Sequence, residues 1–285
     1  MYLRYNQEVA KYGKKDAIIA LCAYLVVAAI IIGFWAVITN FELTRLQARI
    51  AQLALAVVVI GITFVIVFIK KQGVASIGFH RDNLWPMIRF GLLLFAILSV
   101  FGIVPGLIYG WEFNNIGAIM YFLFFAFILA AWEDIFMVGY LQTRLYGLFK
   151  SHIIAILVGA VLFALPHIPM GLIGNTGTNL GVMLIAWFLG HLSMVLVFRR
   201  HFSLVPVFIR HTFHNFFMAG YLWGVFNPEY NTSWAGTAPI VILVMLVVME
   251  IRRTKSNLKG VSYEKSVIHT GIFPVRCQRQ RGAKN

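Results

Sequence analysis

The feature that most constrains this chain is a succession of apolar runs, their lengths centred on about 20 residues and each parted from the next by a short polar break. A run of that length without a polar stripe at helical spacing offers no face to water, so each reads as a helix crossing a bilayer. We place the spans at Asp16–Thr39, Ile50–Ile69, Leu84–Tyr109, Gly117–Leu145, His152–Pro166, Leu180–Phe198, Leu204–Trp223 and Ala238–Ile251. The expected fold class is therefore all-α, a polytopic membrane helix bundle with about eight transmembrane helices. A cytoplasmic N-terminus occupies residues 1–15, the membrane domain 16–251 and a basic cytoplasmic tail 252–285. Composition agrees, since 60% of residues are hydrophobic and 12% charged, against roughly 25% charged in soluble domains.

The formal net charge of +14 would suggest nucleic acid in a soluble protein, but here the cations follow the spans. Lys11, Lys14 and Lys15 precede the first; Lys70, Lys71, Arg81 and Arg89 flank the second connection; Arg144 and Lys150 the fourth; Arg199, Arg200 and Arg210 the sixth. The alternate connections carry Glu42 with Arg45 and Arg49, then Glu112, then no charge near Gly171–Asn179, then Glu229. Positive-inside bias puts both termini in the cytoplasm, and the expected location is the plasma membrane, multi-pass. The tail from Arg252 is drawn to anionic headgroups rather than to nucleic acid. No A-x-A-like cleavage site follows the first span, which is too long for a signal-peptide core, so it is expected to stay uncleaved. Cys22 within that span and Cys277 in the tail are placed too differently to pair.

A carboxylate in mid-bilayer costs about 2.5–3.5 kcal/mol on insertion scales, so one that is kept there has a reason. Glu133 and Asp134 are the acids well inside a span, in Ala131-Trp132-Glu133-Asp134-Ile135. Adjacent helical side chains diverge by about 100°, so one acid is expected to face a cavity and the other a neighbouring helix. The bland alternative is an interfacial cap with Arg144 and Lys150 as counter-charges. A second polar intrusion is His167, which ends the fifth span four residues after Phe163; alone it would read as a helix cap. The third is Arg210-His211-Thr212-Phe213-His214-Asn215, where His211 and Asn215 share one helix face and His214 lies close to it. His191, without such companions, reads as a packing or hydrogen-bonding residue.

An acid pair, a histidine on the next helix and a His/Asn pair on a third are parts for hydrolysis. A carboxylate and an imidazole can take a proton from water, while another imidazole and a carboxamide can donate to a developing oxyanion. The alternative assembly is metal-assisted, a divalent ion such as zinc held by Glu133, His167 and His211; no cofactor is certain from the sequence.

At these residues the chain resembles the CPBP family, the CAAX-protease and bacteriocin-processing group of intramembrane proteases. That family's motifs are a Glu-Glu pair followed by Arg-Gly, then Phe-x-x-x-His, then His-x-x-x-Asn. Phe163 with His167 and His211 with Asn215 meet the second and third. Glu133 meets the start of the first, Asp134 replaces its second glutamate, Val138 stands at its arginine, and Gly139-Tyr140-Leu141-Gln142 resumes the pattern. Ser76-Ile77-Gly78-Phe79 before Asn83-Leu84-Trp85 extends the likeness upstream, around a protease-like core at about 117–223. The resemblance implies that Glu133 and His167 activate the attacking water, that His211 and Asn215 hold the oxyanion, and that Asp134 and Phe163 support them. It implies a membrane-associated peptide or protein as substrate, with bacteriocin immunity or peptide maturation as a bacterial setting and trimming of prenylated proteins as a eukaryotic one. Val138 leaves Asp134 either to find another partner or to stay protonated, and motivates a non-catalytic binding homologue as the alternative. A proton-coupled transporter is the third class, disfavoured by the lack of visible internal repeats.

Overall fold

The protein is described by a computed structural model covering residues 3–41, 43–82, 84–109, 116–173, 180–222, 240–249 and 251. Glu42, Asn83, Glu112, Glu229 and the tail with Cys277 lie outside the described residues, as do Trp223 and Ala238, the expected end of the seventh span and start of the eighth.

Every described element is helical, and no strand is present among the described residues. A short α1 (Leu3–Val9) precedes α2 (Lys14–Asn40) and α3 (Arg45–Ile69). After a 3-10 turn at Val74–Ile77 come α4 (Leu84–Tyr109) and α5 (Ile116–Glu133). A π-helical segment, Asp134–Leu141, leads without a break into α6 (Gln142–Phe149). Then follow α7 (His152–Ala164), a 3-10 turn at Leu165–His167, α8 (Ile168–Ile173), α9 (Leu180–His201) and α10 (Val205–Leu222).

Among the described residues, four helices are long and apolar enough to cross a membrane: Lys14–Ile38, Leu46–Ile69, Ile119–Phe149 and Leu180–His201. Leu84–Val100, His152–His167 and Ile240–Met249 are shorter apolar helices. The outward faces are greasy: Val57 and Ile153 are 69% and 72% exposed, whereas Asp134, Gln142, Arg144 and His191 are fully buried. That inversion of the soluble pattern is what a bilayer selects, because only polar groups need the protein interior there. Such a chain is an integral membrane protein.

The bundle converges on α10, which packs against α4, α5 and α9, while α7 packs on α6 and α9, and α3 on α5. Close approach of α10 to α4 depends on Gly91: a Cβ there would lie 2.6 Å from Ile209 Cδ1 and 3.2 Å from Pro206 Cα. Small residues serve the same purpose at membrane helix interfaces generally, since packing rather than hydrophobic burial joins the helices.

The polar residues near the other end of the bundle are absorbed by structure. The Arg144 guanidinium donates to Ser76 O (3.1 Å), Ser76 Oγ (2.9 Å) and Gln72 Oε1 (2.7 Å), and lies between the Tyr12 and Tyr140 rings at 4.3 and 4.6 Å. It therefore pins the connection after α3 to the π segment and is no counter-charge for Glu133 or Asp134. Nearby, burial of Tyr5 on α1 pushes its phenol up to about 12, a shift partly offset by the charge of Arg199.

Candidate active site

The π segment begins at Asp134, directly after Glu133. Widening of the helix at that point is a common way to re-aim side chains at functional sites. It is held against the Val74–Ile77 turn at Gly139, where a Cβ would sit 2.7 Å from Ile77 O. A residue without a side chain is what this contact requires.

Glu133 faces a cavity of about 250 Å³ whose wall also carries His167, His211, Asn215 and Phe163. Four separate elements contribute: the end of α5, the 3-10 turn after α7, α7 itself and α10. Glu133 Oε1 is 3.9 Å from His167 Nε2, and Glu133 Oε2 is 3.5 Å from His211 Nε2. The structure thus brings the carboxylate and both imidazoles together, and places Asn215 one helical turn from His211 on the same wall.

Each imidazole is oriented from behind. His167 Nδ1 lies 2.8 Å from Phe163 O; a carbonyl only accepts, so Nδ1 carries the proton and the neutral ring presents a bare Nε2 toward Glu133. Phe163 also packs its ring on His167 at 4.9 Å, and Trp187 covers the same imidazole at 4.7 Å. His211 Nδ1 is 2.9 Å from Asp134 Oδ1. Asp134, fully buried, has in His211 the partner it needs in place of an arginine at position 138, where Val138 is wholly enclosed.

The two acids separate as their spacing suggests. One faces the cavity and the other the neighbouring helix, yet both reach His211, at opposite edges of its ring. His191 stacks on Phe163 at 4.9 Å with no ring nitrogen bonded, as a packing residue does.

Arg210 requires a correction. Counted with the basic residues flanking the sixth connection, it is 1% exposed and lines the cavity beside His214. Its place one residue before His211 puts it inside the bundle, and an arginine within an apolar helix was the signal for that. Trp132 and Trp187, also on the wall, left no distinct trace among the many aromatics.

Residues 115–217 match a family model described as Type II CAAX prenyl endopeptidase Rce1-like. Over this part the chain is similar to CAAX-type endopeptidases. The matched region, a little over a third of the chain, contains every residue named above as a motif member, together with Arg210. No curated protein and no solved structure matches the chain.

Whether the site suits a metal follows from its donors. Among the described residues no three His, Cys, Asp or Glu side chains are grouped so as to hold a metal ion. The Glu133 carboxylate reaches His167 Nε2 at 3.9 Å and His211 Nε2 at 3.5 Å. No step is derived through a metal.

Proposed function

We propose that this protein is an intramembrane endopeptidase that cleaves a membrane-associated peptide or protein with a water activated by Glu133 and His167. The observation that carries the reading is the placement of one carboxylate, on the wall of a membrane-embedded cavity, within 3.9 Å of one imidazole and 3.5 Å of another. Those separations are long for direct hydrogen bonds and suit a bridging water or carbonyl.

In the proposed reaction the water oxygen bonds to the peptide carbonyl carbon as its proton passes to Glu133, with His167 Nε2 accepting the second hydrogen bond. The carbonyl oxygen becomes an oxyanion held by His211 and Asn215. Collapse breaks the C–N bond, and Glu133 returns the proton to the departing amine, leaving a carboxylic acid and an amine. His211 Nε2 can donate only when the Asp134–His211 pair holds two protons. That state is net neutral, whichever partner carries the second proton, and neutrality is the cheaper condition for a buried pair. Asp134 thus prepares His211 to be an oxyanion donor.

The eight spans drawn from the sequence, with both termini cytoplasmic in a plasma membrane, complete the proposal, and the prenylated chains named in the matched family's description are the first substrates to try. Val138 favours one other reading, a homologue that binds a peptide without cutting it. Purified full-length protein incubated with a membrane-anchored peptide library distinguishes them. Cleavage that survives removal of bound metal supports the glutamate-activated water. Intact peptides that nonetheless co-purify with the protein support the binding homologue.

A further inference from the structure

α10 presents two polar stripes to the cavity. His211 and Asn215 form one; Arg210 and His214, also four residues apart, form a second about 100° around the helix. The mechanism above uses only the first. Arg210 is the only arginine or lysine among the described residues lining the cavity, and it is 1% exposed. Its Nε and Nη2 atoms have no hydrogen-bond partner. Asp134 attracts it through space, but the short contacts of both nearby acids go to histidines: Glu133 to His167 and His211, Asp134 to His211. A buried guanidinium with unused donors at a cavity wall is costly to keep, and it is shaped to take an anion through two parallel N–H bonds.

We propose that Arg210, with His214 beside it, is a carboxylate-docking subsite that seats an acidic group of the substrate peptide next to the reaction centre, an inference that rests on the hydrolytic reading above. A single negative charge suits the site better than a dianionic phosphate, because Glu133 borders the same small space. The cavity of about 250 Å³ lies just below the roughly 300–1,000 Å³ of ordinary ligand pockets, so it takes the reacting end of a peptide rather than its whole length. Trp132, Trp187, Leu129 and Met194 supply apolar walls for the side chains at that end. The carboxylate comes either from the peptide's C-terminus or from an Asp or Glu side chain.

Binding is best read without turnover, in full-length protein carrying Glu133→Gln, by calorimetric titration in detergent micelles. The probes are an acetylated leucine tripeptide as the free acid, the same peptide as the C-terminal amide, and an amide with glutamate at the middle position. The free acid binds about 10- to 100-fold more tightly than the plain amide. Arg210→Gln erases that difference, and Arg210→Lys, which keeps the charge and loses the planar fork, retains part of it. Tight binding of the glutamate amide assigns the carboxylate to a side chain and keeps the subsite. Equal binding of all three peptides overturns the proposal, as does a preference that persists in Arg210→Gln. Should Arg210→Gln fail to fold, an undiminished preference in Arg210→Lys counts against the fork. Failure of the hydrolytic reading would leave these ratios unchanged, since no bond is cut in the measurement.

Discussion

Removing the carboxylate of Asp134 tests how His211 is held. The contact is 2.9 Å long and joins a fully buried acid to an imidazole that is 4% exposed. A hydrogen bond to a charged group contributes about 1.5–3 kcal/mol net, and truncating one member of a buried pair costs about 3–5 kcal/mol because the other is stranded. Asp134→Ala is therefore expected to lower unfolding free energy by about 3–5 kcal/mol, and Asp134→Asn by about 1 kcal/mol, since the amide still bonds the ring without its charge. The assay is equilibrium unfolding in mixed micelles across a double-mutant cycle with His211→Ala. The expected coupling is about 1.5–3 kcal/mol, against an additivity error of about 0.5 kcal/mol for independent sites. Additive losses would show that Asp134 and His211 do not act as a pair, and would refute the account of how a chain with Val138 keeps its second acid in use.

Two further outcomes follow from the packing and the N-terminal helix. Gly91→Leu pushes atoms into Ile209 and the Pro206 backbone and is expected to destabilise the bundle by about 1–3 kcal/mol in the same unfolding assay; a neutral result would mean that α4 and α10 are not in close contact. Tyr5, with its folded phenol raised to about 12 and its unfolded phenol near 10, keeps its proton in the native state where the unfolded chain loses it. Its stabilising contribution is thus full below about pH 10 and is lost as pH rises from there toward about 12. Tyrosinate absorbance during alkaline titration should show a late-ionising component that shrinks by one tyrosine in Tyr5→Phe, the remainder belonging to other buried phenols such as Tyr12.

What could be read from the chain, and what could not, has physical causes. His211 and Asn215 were legible as one stripe because a four-residue spacing on a helix fixes a shared face, and Phe163 with His167 because the same spacing continues into the 3-10 turn. The membrane class followed from run length alone. The phase of α5 was not legible: a helix apolar all round carries no periodicity, so nothing announced the π segment at Asp134 that brings both acids to His211. Arg144 and Arg210 both looked like the basic flanks of a connection. Only the packing shows that one is consumed by Ser76, Gln72 and two tyrosine rings, while the other faces the cavity with its donors unused. The short helices α1 and α8 were missed because neither has the length or apolar run of a span.

The central claim is that the Glu133 carboxylate takes the proton of the attacking water. Cleavage of a membrane-anchored peptide library by purified full-length protein, compared with its Glu133→Gln variant, measures it most directly, because glutamine keeps the shape and loses the base. The account predicts a fall of about 100-fold or more in cleavage rate, with unfolding behaviour unchanged. A folded Glu133→Gln protein that cuts the same bonds at the parent rate would contradict it.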